Sequence, residues 1–146
     1  MRQSWRKTRS ILLAGLPVLL LACGSSTAPA ANSVAGSYIP ITWVTSGGTG
    51  QTSELQAGST LLLTLHANGL TSGQLHIAKT ASRPVFDADM SGSWTQNGST
   101  ISISQSIDTF VQHMSFEMSP DPVNGWDLAG STTFGGNQIQ IILKPA

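Results

Sequence analysis

From Val34 onward, apolar and polar residues alternate with a period of two, and that rhythm restricts the chain more than any other feature it has. In Phe86-Asp87-Ala88-Asp89-Met90-Ser91-Gly92-Ser93-Trp94 the apolar or small residues hold the even positions and the polar ones the odd. Ile101, Ile103 and Ile107 oppose Ser102, Ser104 and Ser106. Phe110, Gln112, Met114, Phe116 and Met118 oppose His113, Ser115 and Glu117. Trp126, Leu128, Gly130, Thr132 and Phe134 share a parity, as do Ile139, Ile141 and Leu143. Strict alternation over short runs is the mark of half-buried antiparallel strands. Eight are expected, at about 36–45, 59–67, 70–78, 85–96, 99–107, 109–118, 126–134 and 138–144, and no stretch reads as a long amphipathic helix.

Turn chemistry sets the order of pairing. Asn97-Gly98 suits a type I′ hairpin, which would place Trp94 opposite Ile101 and Gly92 opposite Ile103. Gly136-Asn137 would likewise pair Phe134 with Ile139 and Thr132 with Ile141. A two-residue turn at Asn68-Gly69 would set Leu65, Leu63 and Leu61 against Ser72, Gln74 and His76, mixing faces. A three-residue loop, Ala67-Asn68-Gly69, instead pairs Leu65 with Thr71, Leu63 with Gly73 and Leu61 with Leu75. That loop is the expectation, with Gly69 left-handed in a G1 bulge. Pro40 in the first strand marks an edge, a bulge or a strand start. Two connections are longer, Ser46 to Gly58 and Pro120 to Gly125. Eight neighbouring strands in a meander can close into a barrel, with an open sheet or sandwich as the alternative.

The first 33 residues follow other rules. Arg2, Arg6, Lys7 and Arg9 form a basic start, and Ile11 to Leu21 is an uncharged, largely apolar run. Eleven residues are too few for a membrane span, which needs about 20. They fit the apolar core of a secretory signal. The run ends Leu20-Leu21-Ala22-Cys23-Gly24. This resembles the lipobox of bacterial lipoproteins, with an aliphatic residue three before the cysteine and a small one immediately before it. The resemblance implies a signal peptide over 1–22, cleavage after Ala22 and a lipid on Cys23. The alternative is an ordinary signal with a chance cysteine. Cys23 is the chain's one cysteine, so no intramolecular disulfide competes for it. Residues 23–33 would then be a lipidated, uncharged, flexible tether. Its ten residues after Cys23 would span about 17 Å as a coil. The expected location is the cell envelope, anchored to a membrane through Cys23. Gly24, standing where aspartate commonly marks inner-membrane retention, favours the outer membrane if the cell is Gram-negative.

Behind Cys23 the charge balance changes. Three basic residues remain, Lys79, Arg83 and Lys144, against seven acids, Glu54, Asp87, Asp89, Asp108, Glu117, Asp121 and Asp127. A net charge near −4 with three scattered cations lacks the footprint of a nucleic-acid binder, so no nucleic-acid partner is expected. Residues 34–146 suffice for one domain.

Candidate chemistry is sparse. Gly69-Leu70-Thr71-Ser72-Gly73 has threonine where a nucleophile elbow needs serine, and it sits in a hairpin. His66, His76 and His113 read as solvated residues on the outer face in preference to metal ligands. Asp87 and Asp89 oppose the apolar parity and so face solvent rather than forming a catalytic pair. Met90, Met114 and Met118 read as core rather than soft copper ligands. Gly47-Gly48-Thr49-Gly50 lacks the lysine and helix of a phosphate loop. No enzyme activity, cofactor or metal is expected.

Ala35-Gly36-Ser37-Tyr38, Gly92-Ser93-Trp94 followed by Asn97-Gly98-Ser99-Thr100-Ile101, and Leu128-Ala129-Gly130 resemble the small lipocalin-like domains of bacterial lipoproteins. The resemblance covers most of residues 34–146. It implies an all-β fold, an eight-stranded antiparallel up-and-down barrel following the lipoprotein signal. It carries no shared activity. The expected inward set, and hence the ligand-binding candidates, is Leu61, Leu63, Leu75, Met90, Trp94, Ile103, Met114, Phe116 and Leu128. Gly73, Gly92 and Gly130 on that face either leave space or admit close neighbours. Two functions follow: binding of a small apolar ligand inside the barrel, or a filled core serving an envelope protein partner in the manner of a protease inhibitor. The 46–58 loop would be the contact element in the second case.

Overall fold

The computed structural model of the protein describes residues 34–48, 50–81, 83–123 and 125–146. Cys23, the signal over 1–22 and the tether over 23–33 lie outside the described residues. The strands are β1 (Gly36–Gly47), β2 (Gly50–Ser53), β3 (Thr60–Leu65), β4 (Leu70–Ile77), β5 (Phe86–Asp89), β6 (Gly92–Asn97), β7 (Thr100–Gln105), β8 (Ser115–Asp121), β9 (Gly125–Phe134) and β10 (Asn137–Pro145). All pairings are antiparallel, in the order β1-β3-β4-β6-β7-β8-β9-β10 with β5 also on β4 and β2 also on β1, and β10 returns to pair with β1 from Tyr38↔Pro145 to Ser46↔Gln138. The result is a closed eight-stranded up-and-down barrel, lipocalin-like as expected. Ten strands give eight positions for two reasons. β5 and β6 lie successively along β4 in one register, with Met90 N–H donating to the Gly73 carbonyl at 3.0 Å between them. β2 is a short arm on the upper half of β1, whose lower half pairs with β3.

The expected three-residue loop is present. Leu65 faces Thr71, Leu63 faces Gly73 and Leu61 faces Leu75, with Gly69 at φ +82°. The other two hairpins differ from expectation by two residues. Trp94 pairs with Ile103 and Gly92 with Gln105, because the turn is Gly98-Ser99 rather than Asn97-Gly98. Only Gly98 has positive φ there, at +62°, which fits glycine in the first place of a type II′ turn and spares Asn97 the strained conformation. Phe134 pairs with Asn137 and Thr132 with Ile139 around Gly135-Gly136, both left-handed at +57° and +79°. Two adjacent glycines satisfy a type I′ turn at lower strain than Gly-Asn. Since both shifts are even, every side chain keeps its expected face.

Two strand assignments change more. Residues 109–114 do not form the start of an extended strand. Gln112, His113 and Met114 donate backbone hydrogen bonds to Thr109, Phe110 and Val111, a tight coil of three residues per turn. It buries Thr109, Phe110 and Val111 consecutively, which a strand cannot do. The 46–58 segment, expected as a loop, contains β2.

One continuous core fills the barrel. The nine residues of the expected inward set are all buried within it, beside Tyr38, Trp43, Ile101, Ile141 and Leu143. Among the described residues, the barrel closes on itself and encloses this core between 34 and 146. Strand direction gives the barrel two distinct ends. Val34, the β3–β4, β6–β7 and β8–β9 turns and Ala146 lie at the lower end. The β2 arm, residues 78–81 and 83–85, coil 109–114 and the Gly135-Gly136 turn lie at the upper. Below, the Tyr38 hydroxyl donates to the Val34 carbonyl at 2.7 Å and the Trp94 indole N–H to the His66 carbonyl at 2.8 Å.

The inward glycines allow close approach. A Cβ on Gly130 would collide with the Met114 thioether and the Phe116 ring, and one on Gly92 with the Ser104 carbonyl. Gly73 combines such a clash, against the Leu62 backbone, with φ +131°. Gly73→Ala should therefore destabilise the barrel by about 2–3 kcal/mol in urea unfolding. Gly48→Ala, with nothing within 4 Å, should leave the midpoint nearly unchanged.

Candidate functional site

A barrel of eight strands is just wide enough for side chains to fill. Here the filling stops short of the upper end, where a cavity of about 380 Å³ opens to solvent. Its deepest wall is Trp43, 2 % exposed, stacked obliquely on Phe110 with ring centroids 5.4 Å apart. Leu75, Ile77 and Ile139 complete the apolar floor, and Phe86 and Phe134 stand toward the opening.

Trp43 reaches this position through a backbone irregularity. Tyr38 and Trp43 are both buried although five residues apart, an odd interval that a regular strand would send to opposite faces. The register against β10 slips between Pro40↔Leu143 and Thr42↔Ile142, leaving Ile41 as the extra residue of a bulge. Pro40 is thus a bulge residue. Phe110 arrives by a different route, carried inward by the 109–114 coil. That coil is fixed by the Thr109 hydroxyl donating to Gln105 Oε1 at 2.6 Å and by Gln112 Oε1 accepting from Gln105 N–H at 3.0 Å.

One side of the mouth is closed by a buried ion pair. Glu54, 1 % exposed, accepts from Arg83 Nη1 at 2.9 Å and Nη2 at 2.7 Å, and from the Ser59 hydroxyl at 3.0 Å. The Ser59 oxygen in turn accepts from Ala78 N–H at 2.9 Å, and Arg83 Nη2 also donates to the Ala78 carbonyl. Bidentate pairing of this kind fixes both distance and orientation. It ties the turn after β2 to residues 78–81 and 83–85 across the mouth. Burial alone would push the Glu54 carboxyl up. Hydrogen bonds from Arg83, Thr45 and Ser59, together with the guanidinium charge, outweigh it and hold the carboxyl below its usual range. Beyond the pair lies a smaller polar pocket of about 210 Å³, bordered by Thr45, Thr52, Thr80 and Asn137.

Of the nine ligand-binding candidates, Leu75 borders the cavity, and the other eight contribute to the core outside its lining. The lining residues absent from that set are the aromatic ones and the ion pair. The odd Tyr38-to-Trp43 interval around Pro40 was the available signal for Trp43. Glu54 and Arg83, 29 positions apart in separate loops, carry no local pattern that pairs them.

The other candidates are dispersed. His66 Nε2 meets Ser72 Oγ at 2.8 Å, His76 Nδ1 meets Asp87 at 2.7 Å, and His113 Nε2 meets Asp108 at 2.5 Å. Asp89 accepts from Gln74 at 2.6 Å on the outer face. Met90, Met114 and Met118 are core residues. No protein-family model, curated protein or solved structure matches the chain.

Glu54 has its pKa lowered by folding, so its stabilising contribution is present above the ordinary value of 4.5 and drains away as pH falls through the lowered one. Arg83→Met should strand the buried carboxylate. Because the Arg83 side chain is 32 % exposed, water relieves part of the cost, and about 2 kcal/mol of stability is expected to go at neutral pH. Thermal unfolding followed between about pH 7 and pH 3 should show the gap between variant and parent closing with acid as Glu54 is neutralised.

Proposed function

We propose that the protein is a membrane-anchored envelope lipoprotein, lipidated at Cys23, whose barrel binds a small hydrophobic ligand. The cavity above Trp43 and Phe110 carries the binding reading. Its volume falls in the ordinary range for small-molecule sites, about 300–1,000 Å³, and its wall is mostly apolar with a few placed polar groups. The lipoprotein reading rests on Leu20-Leu21-Ala22-Cys23 and the basic, apolar run before it.

The two readings support one another through the geometry of the barrel. The chain leading from Cys23 joins the barrel at Val34, at the lower end, whereas the cavity opens at the upper. An anchor at Cys23 would leave the mouth pointing away from the membrane surface, open to ligands arriving through the aqueous phase. Stable anchoring requires two or more acyl chains, which the lipobox chemistry supplies. A protein partner remains the second reading, favoured by the exposed Val85, Phe86 and Ile107 around the same mouth.

The anchor has a direct test. The intact-mass spectrum of the parent should show acyl chains on a chain that begins at Cys23, and Cys23→Ser should abolish that acyl mass. A parent mass without acyl chains would refute lipidation at that position. Binding is tested by native mass spectrometry of the protein isolated gently from its own host. A discrete mass excess lost on denaturation is expected. A bare mass that no lipid or metabolite extract shifts would turn the search toward protein partners.

A further inference from the structure

Of the chain's four phenylalanines, three (Phe86, Phe110 and Phe134) border the mouth cavity, and Trp43 forms its depth. The rest of the core mixes Leu, Ile and Met with Tyr38, Trp94 and Phe116, so four of the rings gather at this one mouth. The ionisable groups at the wall are, in contrast, already engaged. Glu54 and Arg83 cancel one another through a bidentate pair. Asp108 bonds to His113 and is 71 % exposed, so its charge sits in water. The cavity thus presents ring surfaces and no unpaired buried charge to an occupant.

From this we infer that the ligand is an uncharged aromatic molecule held between Trp43–Phe110 at depth and Phe86 and Phe134 at the opening, a specification that rests on the binding reading above. Offset or edge-to-face contacts with four rings favour a planar aromatic over an aliphatic chain of equal area. A carboxylate or sulfonate would have to shed its water beside the Glu54 carboxylate, with Nε–H of an already paired Arg83 as the one nitrogen of that guanidinium left without a partner to replace the hydration. A cation would meet Arg83 on the same wall. The adjoining pocket of Thr45, Thr52 and Asn137 gives a hydroxyl or carbonyl substituent on the ring system a polar place to lie. At about 380 Å³ the cavity holds a molecule of two or three rings.

The test uses residues 34–146, which contain the whole barrel and its core, and three probes. N-phenyl-1-naphthylamine is aromatic and neutral, anilinonaphthalene sulfonate has the same rings with an anionic group, and laurate is an aliphatic anion. The neutral dye is expected to bind saturably, one per chain, at least tenfold tighter than its sulfonate, with laurate failing to displace it. Phe86→Leu keeps apolar bulk at a position 39 % exposed and removes only the ring. It should weaken the neutral dye about threefold to tenfold, while Val123→Ala at the opposite end leaves binding unchanged. If laurate competes, or the sulfonate binds as tightly as the neutral dye, the ligand class is wrong while the cavity stands as a binding site. Saturable binding insensitive to Phe86→Leu would overturn the location. Failure of all three probes to bind would overturn the cavity reading itself.

Discussion

The seam where β1 meets β10 is the contact on which the rest of the molecule depends. Without it the meander is an open sheet with two edges and a solvent-exposed inner face. With it, each of the eight barrel positions has two neighbours and their apolar parity converges on one axis. The seam is also where regularity is broken. One extra residue at Ile41 lets β1 present Tyr38 inward near its start and Trp43 inward near its end. A strict two-residue period would have turned the indole to solvent and left the upper third of the barrel without its largest side chain. The seam thus both closes the barrel and, through a bulge at Pro40-Ile41 that costs a little ladder and re-aims half a strand, supplies the Trp43 wall of the cavity.

How much of this was legible in the sequence follows from what each feature depends on. Alternation is local, so the strands and their inward faces could be read directly, and all nine expected inward residues are buried. Turn position is less local. Asn-Gly and Gly-Asn each offered a plausible pair, yet the backbone places Gly98-Ser99 and Gly135-Gly136 in the turns, since those choices keep positive φ on glycine alone. The Ala67-Asn68-Gly69 loop was recoverable because face matching eliminated its competitor, whereas at the other two hairpins a shift of two preserves the faces and removes that check. The 109–114 coil escaped for a related reason. Phe110, Gln112 and Met114 happen to fall on one parity, and only Val111 and Thr109 between them mark the run as something other than a strand.

The upper mouth was least legible, because it is assembled from loops rather than from periodic segments. Trp43, Glu54, Arg83 and Phe110 come from four separate stretches, and none belongs to a pattern that names the others. What distinguishes Glu54 and Arg83 in hindsight is scarcity. In a domain with three basic residues and seven acids, a carboxylate and a guanidinium joined by two hydrogen bonds represent a substantial part of its charge. Scarcity marks a residue as unusual without saying where its partner stands.

The choice of an ion pair at that place has a physical logic of its own. Two apolar side chains of similar volume would hold the turn after β2 against residues 78–81 and 83–85 without the desolvation penalty of a buried carboxylate, and such replacements are often neutral or stabilising. They would, however, slide over one another and into the cavity, since apolar contact has no preferred direction. The fork of Arg83 on Glu54, braced by Ser59 and the Ala78 carbonyl, fixes the separation of the two loops and therefore the width of the opening. It also keeps those side chains in a ring of hydrogen bonds at the wall. Within the barrel, where Gly92 brings the β7 backbone within contact, strand spacing sets the dimensions and the core is filled. At the mouth no ladder performs that task, and a directional interaction takes its place.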